Sequence, residues 1–142
     1  MRDQMSLVHP VVGLAPVATA IADNTAQNTA IIDRAGYESL TFLVITGTLA
    51  DADATFAVTM AHGDDSGLSD TAVVAAPDFV GTLALAGFTF SDDGECRKIG
   101  YVGSKRYVRL TITPSANTGS APLAVIALLG NPASSPTANP PQ

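Results

Sequence analysis

Apolar and polar residues alternate with a period of two along residues 106–113. Val108, Leu110 and Ile112 fall on one side, and Tyr107, Arg109, Thr111 and Thr113 on the other. That period belongs to a half-buried β-strand. Tyr, Val, Ile and Thr suit a pleated surface, and Pro114 ends the run by removing a ladder donor. Residues 97–102 precede it across Gly103-Ser104, so the whole predicts a β-hairpin. Residues 55–62 alternate in the same way, with Phe56, Val58 and Met60 against Thr55, Ala57 and Thr59. Residues 39–48 are apolar on both faces: Leu40, Phe42 and Val44 alternate with Thr41, Leu43 and Ile45. A strand of that kind is expected in the middle of its sheet.

Shorter strands are predicted at 17–21, 29–33, 71–75, 87–90 and 122–129. Residues 77–86 read as loop or short strand. Turn signals fall at Asp23-Asn24, Ala35-Gly36, 47–54, 63–67, Ser91-Asp92-Asp93-Gly94 and 115–120. They recur every ~8–12 residues, the spacing of an antiparallel sandwich or barrel. No amphipathic run of helix length and no internal repeat is present. The predicted fold is all-β, an antiparallel β-sandwich or jelly-roll-like barrel of about 7–9 short strands.

The two ends read differently. Residues 1–16 carry His9-Pro10 and Ala15-Pro16. Two prolines so close together argue against a helix or a central strand. The segment is therefore expected to be an extended N-terminal arm. Its Leu7, Val8, Val11, Val12 and Leu14 need cover, from their own domain or from a neighbouring subunit. Residues 131–142 hold four prolines and no bulky apolar side chain, which predicts a mobile tail. The expected organisation is arm 1–16, β-sandwich domain 17–130 and flexible tail 131–142.

Composition narrows the class. At 142 residues the chain has the length of one domain. Only 14% of residues are charged and mean hydropathy is +0.28, so the chain can fill a core. Its apolar content is mostly Ala, Val, Leu and Ile, with no Trp and 6% aromatics. That favours a thin sandwich over a helical bundle.

Charge is segregated along the sequence. Five of the seven basic residues (Arg97, Lys98, Lys105, Arg106 and Arg109) lie in the predicted hairpin without an acidic residue among them. The chain carries −6 overall, so the remainder stands at −11. A basic edge on an acidic body suits an acidic protein surface, or head-to-tail contact between copies. It argues against nucleic acid as a partner, for which a basic domain is usual. The plainer reading is a solvated strand face that blunts a sheet edge. These five residues, with Leu7, Val8, Val11 and Val12 of the arm, are the candidate partner contacts.

Candidate catalytic chemistry is sparse. One cysteine, Cys96, allows no internal disulfide and no cysteine-based zinc site. His9 and His62 lie in unrelated contexts, and no nucleophile motif accompanies either. Asp51/Asp53, Asp64/Asp65 and Asp92/Asp93 raise calcium, but none matches a twelve-residue calcium loop. Asp-rich turns also form for local hydrogen-bonding reasons. The expectation is no enzyme, no cofactor and no metal. The apolar stretch at 11–22 is broken by Gly13, Pro16 and Thr19, so neither a signal peptide nor a membrane span is read there.

Three stretches carry a resemblance. They are Asp33-Arg34-Ala35-Gly36-Tyr37-Glu38-Ser39-Leu40-Thr41-Phe42; then Phe56, Val58 and Met60 ahead of His62-Gly63-Asp64-Asp65-Ser66; then Lys98-Ile99-Gly100-Tyr101-Val102-Gly103-Ser104-Lys105-Arg106-Tyr107-Val108-Arg109. In this order and spacing, over roughly 33–130, the chain resembles small virion proteins of tailed bacteriophages. Such proteins are usually found near the major capsid protein and taken to be head decoration (cement) or minor structural proteins. The resemblance implies a non-enzymatic protein on the outside of the phage head, made in the host bacterial cytoplasm. It implies the major capsid protein as partner and a homo-oligomer, with a trimer favoured over a dimer. It carries over no catalytic residue. A tail component (tube, completion or tip protein) is the rival within virions. A receptor- or carbohydrate-binding module is the rival from another class, and would want exposed aromatics near the acidic loops.

Overall fold

A computed structural model describes residues 3–16 and 21–141. Eleven strands follow one another in these residues: β1 (Val8–Leu14), β2 (Gln27–Asn28), β3 (Ile32–Asp33), β4 (Tyr37–Thr46), β5 (Thr55–Gly63), β6 (Ala72–Val73), β7 (Phe79–Val80), β8 (Phe88–Thr89), β9 (Cys96–Tyr101), β10 (Tyr107–Ser115) and β11 (Leu123–Pro132). A 3-10 turn, Met5–Leu7, precedes β1, and one helical turn, α1 (Leu83–Ala86), follows β7. The Thr82 hydroxyl caps α1 by accepting the Leu85 N–H. The count exceeds the expected seven to nine because five of the strands are two residues long. The strand expected at 17–21 lies outside the described residues except for Ile21, which bridges to Ala121.

The pairing is nested. β1 pairs with β11, β2 and β3 with β10, β4 with β9, and β5 with β6 and β8, all antiparallel. The chain is one long hairpin whose second half meets the first in reverse order. Wrapping it puts successive pairs in alternate sheets. One sheet has the order β1-β11-β4-β9-β7; the other has β2-β10-β5-β6, with β3 on β10 and β8 on β5. This is a jelly roll, two Greek keys in two layers, as the alternation and turn spacing predicted. β4 is central in its sheet, as its two apolar faces suggested.

One core fills the space between the sheets. Phe42, Val44, Val108, Leu110, Ile112, Val125 and Ala127 are wholly buried, with Ile99 and Tyr101 beside them. Each aliphatic or Phe side chain so buried is worth ~1.5–3 kcal/mol, so the inward half of every long strand drives the layers together.

The predicted hairpin of residues 97–113 is not one. β9 lies in the first sheet between β4 and β7, and β10 lies in the second between β2 and β5. The chain crosses between the layers at residues 102–106. Tyr101 anchors the crossing. Its hydroxyl accepts the Lys105 backbone N–H at 3.1 Å and shares a hydrogen bond of 2.7 Å with His62 Nδ1, tying the first sheet to β5 of the second. Arg34 lies over the Tyr101 ring, its guanidinium 4.8 Å from the centroid. That guanidinium donates to the carbonyls of Gly103, Lys105 and Glu38. A β-carbon on Gly103 would stand 2.5 Å from the Tyr101 hydroxyl, so the crossing needs glycine there.

Both chain ends are tied down. Residues 8–14, expected as an arm, form the edge strand β1. Pro10 is tolerated because one side of an edge strand makes no ladder bonds. His9 and Gly13 are buried and Val11 and Leu14 pack on the core, so the arm covers its own domain. The tail, expected to be mobile, continues β11 to Pro132 and then turns back. Thr137 donates its N–H to the Ser6 carbonyl and its hydroxyl to the Val8 carbonyl. The acidic turns are tied by hydrogen bonds, most of them local, while Asp51 reaches the loop at 115–120. Asp51 accepts from Thr118, Asp65 from Gly67 and Ser69, Asp70 from Asp64 and Asp65, and Asp92 from Thr89.

Three outcomes follow from this architecture. Deleting residues 1–14 strips β11 of one of its two partners and turns it into a bare edge, so the monomer should unfold several kcal/mol more easily in urea, or precipitate. Tyr101→Phe leaves His62 and the Lys105 N–H unpartnered and should cost ~1–3 kcal/mol in the same titration. These hydrogen bonds, above all from Thr118 to Asp51, from Ser69 to Asp65, from Asp64 to Asp70 and from Thr89 to Asp92, hold the carboxyls below their ordinary 3.8. A lowered folded value adds stability above the unfolded pKa and loses it as pH falls through the folded one. The urea midpoint should therefore be flat above about pH 5 and fall steadily below it, with Asp51→Asn reducing that slope.

Candidate interaction surface

The five basic residues close in sequence are scattered in space. Arg97 reaches Asp92 at 2.8 Å and Glu95 at 2.9 Å, and donates to the carbonyls of Leu85 and Gly87. It thus ties β9 to α1. Lys98 stands on the outer face of the first sheet, opposite Leu43. Lys105 and Arg106 lie at the crossing, where Lys105 pairs with Asp64 at 2.5 Å and Arg106 holds Asp33 through two bonds of 2.8 Å. Arg109 is on the outer face of the second sheet, opposite Ala61. There is no single basic edge, because consecutive residues of a strand face opposite ways and β9 and β10 belong to different layers.

The pairs at the crossing shift their partners in the expected sense. The Asp33 carboxylate raises Arg106, Asp64 raises Lys105, and Arg106 in turn lowers Asp33. All four side chains are substantially exposed, so these pairs orient the loop more than they stabilise the fold. Lys98 and Arg109 make no ion pair among the described residues. The Arg109 Nε is buried and without a hydrogen-bond partner.

The apolar candidates divide too. Val11 faces the core; Val12 points outward and is 63% exposed. Leu7 and Val8 are half-buried at the start of β1. Val12 opens onto a wider apolar surface. The register sets it beside Ile126, Ile126 beside Leu43, and Leu43 beside Lys98. The next outward row is Pro10, Leu128, Thr41, Gly100 and Val80, and on the other side lie Ala124, Ile45 and Cys96. The second sheet is different. Thr55, Ala57, Thr59 and Ala61 of β5 face outward beside Ser115, Thr113, Thr111 and Arg109 of β10. Of this apolar face the sequence had singled out Val12 as a candidate contact, while Leu43 and Ile45 read as the mark of a central strand. Arg34 was visible only inside a quoted motif, with no role attached.

The polar chemistry elsewhere is consumed internally. His9 is buried and stacked on Tyr37, and His62 is bonded to Tyr101. A surface cleft lined by Thr55, Phe56, Leu83, Phe88, Asp92 and Arg97 has its two charged groups bonded to each other. Among the described residues no three His, Cys, Asp or Glu side chains gather as metal ligands. Among the described residues no helix is long and apolar enough to cross a membrane.

No protein-family model and no curated protein matches the chain. Solved structures do. It is similar to the PBSX exported protein XepA, with a TM-score of 0.56, 14% identity and 85% of this chain covered, although it spans only 36% of XepA. It is similar to the SPBc2 prophage-derived protein YomS, with a TM-score of 0.50 and 7% identity, covering 87% of this chain and 93% of that one. A chain of the capsid of Ralstonia phage GP4 also aligns, with a TM-score of 0.49, 10% identity, and coverage of 94% and 90%. At these identities the likeness is one of fold: this chain shares its double-layered β architecture with phage-derived proteins.

Proposed function

We propose that this chain is a non-enzymatic structural protein of a tailed-phage virion, a capsid decoration (cement) protein that binds the major capsid protein on the outside of the assembled head. The observation that carries this reading is where the polar groups go. His62 and the acidic turns are hydrogen-bonded within the chain and His9 is buried against the Tyr37 ring, and the chain turns two broad sheet faces outward. A rigid block with such faces suits contact between surfaces. The fold shared with a PBSX exported protein and an SPBc2 prophage-derived protein supports a phage setting.

In this reading the polar face of the second sheet meets the shell. Arg109 sits there among threonines, with its Nε buried and unsatisfied. Arg109 makes no ion pair among the described residues, and a capsid carboxylate is an acceptor that suits its guanidinium. Binding the assembled shell and not its free subunits stabilises the shell by mass action, and many symmetric copies make weak single contacts effective.

Co-sedimentation with expanded phage heads lacking the protein tests the reading. Saturable binding at a fixed ratio to capsid subunits is expected. Arg109→Glu should weaken it at least ~10-fold while the urea midpoint stays close to wild type. No binding to heads, with rings or tubes formed by the protein alone, would move it to the tail; equal binding by Arg109→Glu would remove that face from the contact.

A further inference from the structure

The outer face of the five-stranded sheet is at odds with its surroundings. A sheet with one face in water normally turns polar residues outward, as the second sheet does here. The first sheet instead presents Pro10, Val12, Ile126, Leu128, Leu43 and Ile45 in adjacent register positions. Val12 is 63% exposed, Ile45 38%, and Val80 at the far edge 60%. Among the described residues no strand or helix lies across this face: Pro141 reaches its β1 border, beside Pro10, Val12 and Ile126, and Pro16 lies at its other end, beside Ile45 and Ala124.

We propose that a second copy of this chain covers the face, the two sheets packing about a two-fold axis near Ile126 and Leu43. Three observations point to a copy of itself. The first is chemistry. A two-fold contact needs a patch complementary to itself, and a flat aliphatic surface is that. The second is charge. At −6 per chain two copies repel, yet none of the outward positions named here is acidic. Their one charge is Lys98, beside Leu43 and away from β1, whose stem can carry the ammonium to the rim. An acidic capsid surface would find only this single cation to meet. The third is size. Five strands ~4.8 Å apart and about seven residues long at ~3.4 Å each give ~600 Å² per copy, or ~1,200 Å² for the pair, at the lower bound of stable interfaces. A two-fold pair also predicts an even-numbered assembly in place of the trimer implied by resemblance.

This inference concerns the isolated protein and stands apart from head binding, so either can fail without the other. Sedimentation velocity of the full chain over a concentration series should show a species of twice the monomer mass. Val12→Glu and Ile45→Glu, at positions already exposed, should weaken it at least ~10-fold with the monomer's circular dichroism unchanged. Thr59→Glu on the polar face should leave it intact. Cys96, opposite Ile45 on the same face, should be alkylated more slowly as protein concentration rises. A wild-type monomer at every concentration would overturn the proposal. So would association that survives both variants or is lost in Thr59→Glu, and so would alkylation of Cys96 that ignores concentration.

Discussion

Tyr101 stands where the chain leaves one sheet for the other, and the two-layered architecture depends on how that departure is held. With five residues between β9 and β10, a chain free to make a tight turn would fold β10 back onto β9. Both would then be lost to the partners they have in the jelly roll. The Tyr101 hydroxyl prevents this by bridging the Lys105 N–H and His62 of the opposite sheet. Arg34 completes the restraint from a distant part of the chain by binding the carbonyls of Gly103 and Lys105. Each of these is a buried or half-buried polar contact, so it costs heavily if left unmade. The geometry of the crossing is thus set by satisfying polar groups, while burial of apolar side chains supplies the driving force.

That division explains what was legible in the sequence. Period-two alternation reports which side chains face a core, and it located β4, β5, β10 and β11 to within a few residues. It says nothing about which strand pairs with which. Gly103-Ser104 between two alternating arms is the same local signal for a hairpin and for a crossing between layers. What separates them is Arg34, roughly seventy residues earlier in the chain. Of the two-residue strands, β3, β6 and β8 fall within the short strands read at 29–33, 71–75 and 87–90 and β7 within the stretch read as loop or short strand, while β2 was missed because two residues are too few to show a period. β1 was misread for another reason: Pro10 argues against a central strand, and the rule has no force at an edge.

The candidate site was less legible than the fold. Clustering of Arg97, Lys98, Lys105, Arg106 and Arg109 in sequence suggested one basic edge. Strand geometry sends neighbours to opposite faces, and the crossing sends the two strands to opposite layers. Three of the five then meet carboxylates of the same chain. The acidic turns illustrate the opposite case. Asp65 and Asp70 take their partners from backbone N–H groups within a few residues, and a local interaction can be read from a local pattern.

Legibility also hides a distinction that only the fold exposes. Apolar residues on both faces of β4 correctly placed it in the middle of a sheet, but a central strand in a two-layer fold still turns one face away from the core. Leu43 and Ile45 therefore need a reason that centrality does not supply. β10, equally flanked in the other sheet, carries Arg109, Thr111 and Thr113 on its outward side, so position within a sheet cannot be that reason. The difference between the two outer faces is a property of the sequence that folding of the monomer does not require. A polar residue at Leu43 or Ile45 would leave the core contacts of Leu40, Phe42 and Val44 in place. Keeping those positions aliphatic costs solubility, and that cost is offset only where the face is covered.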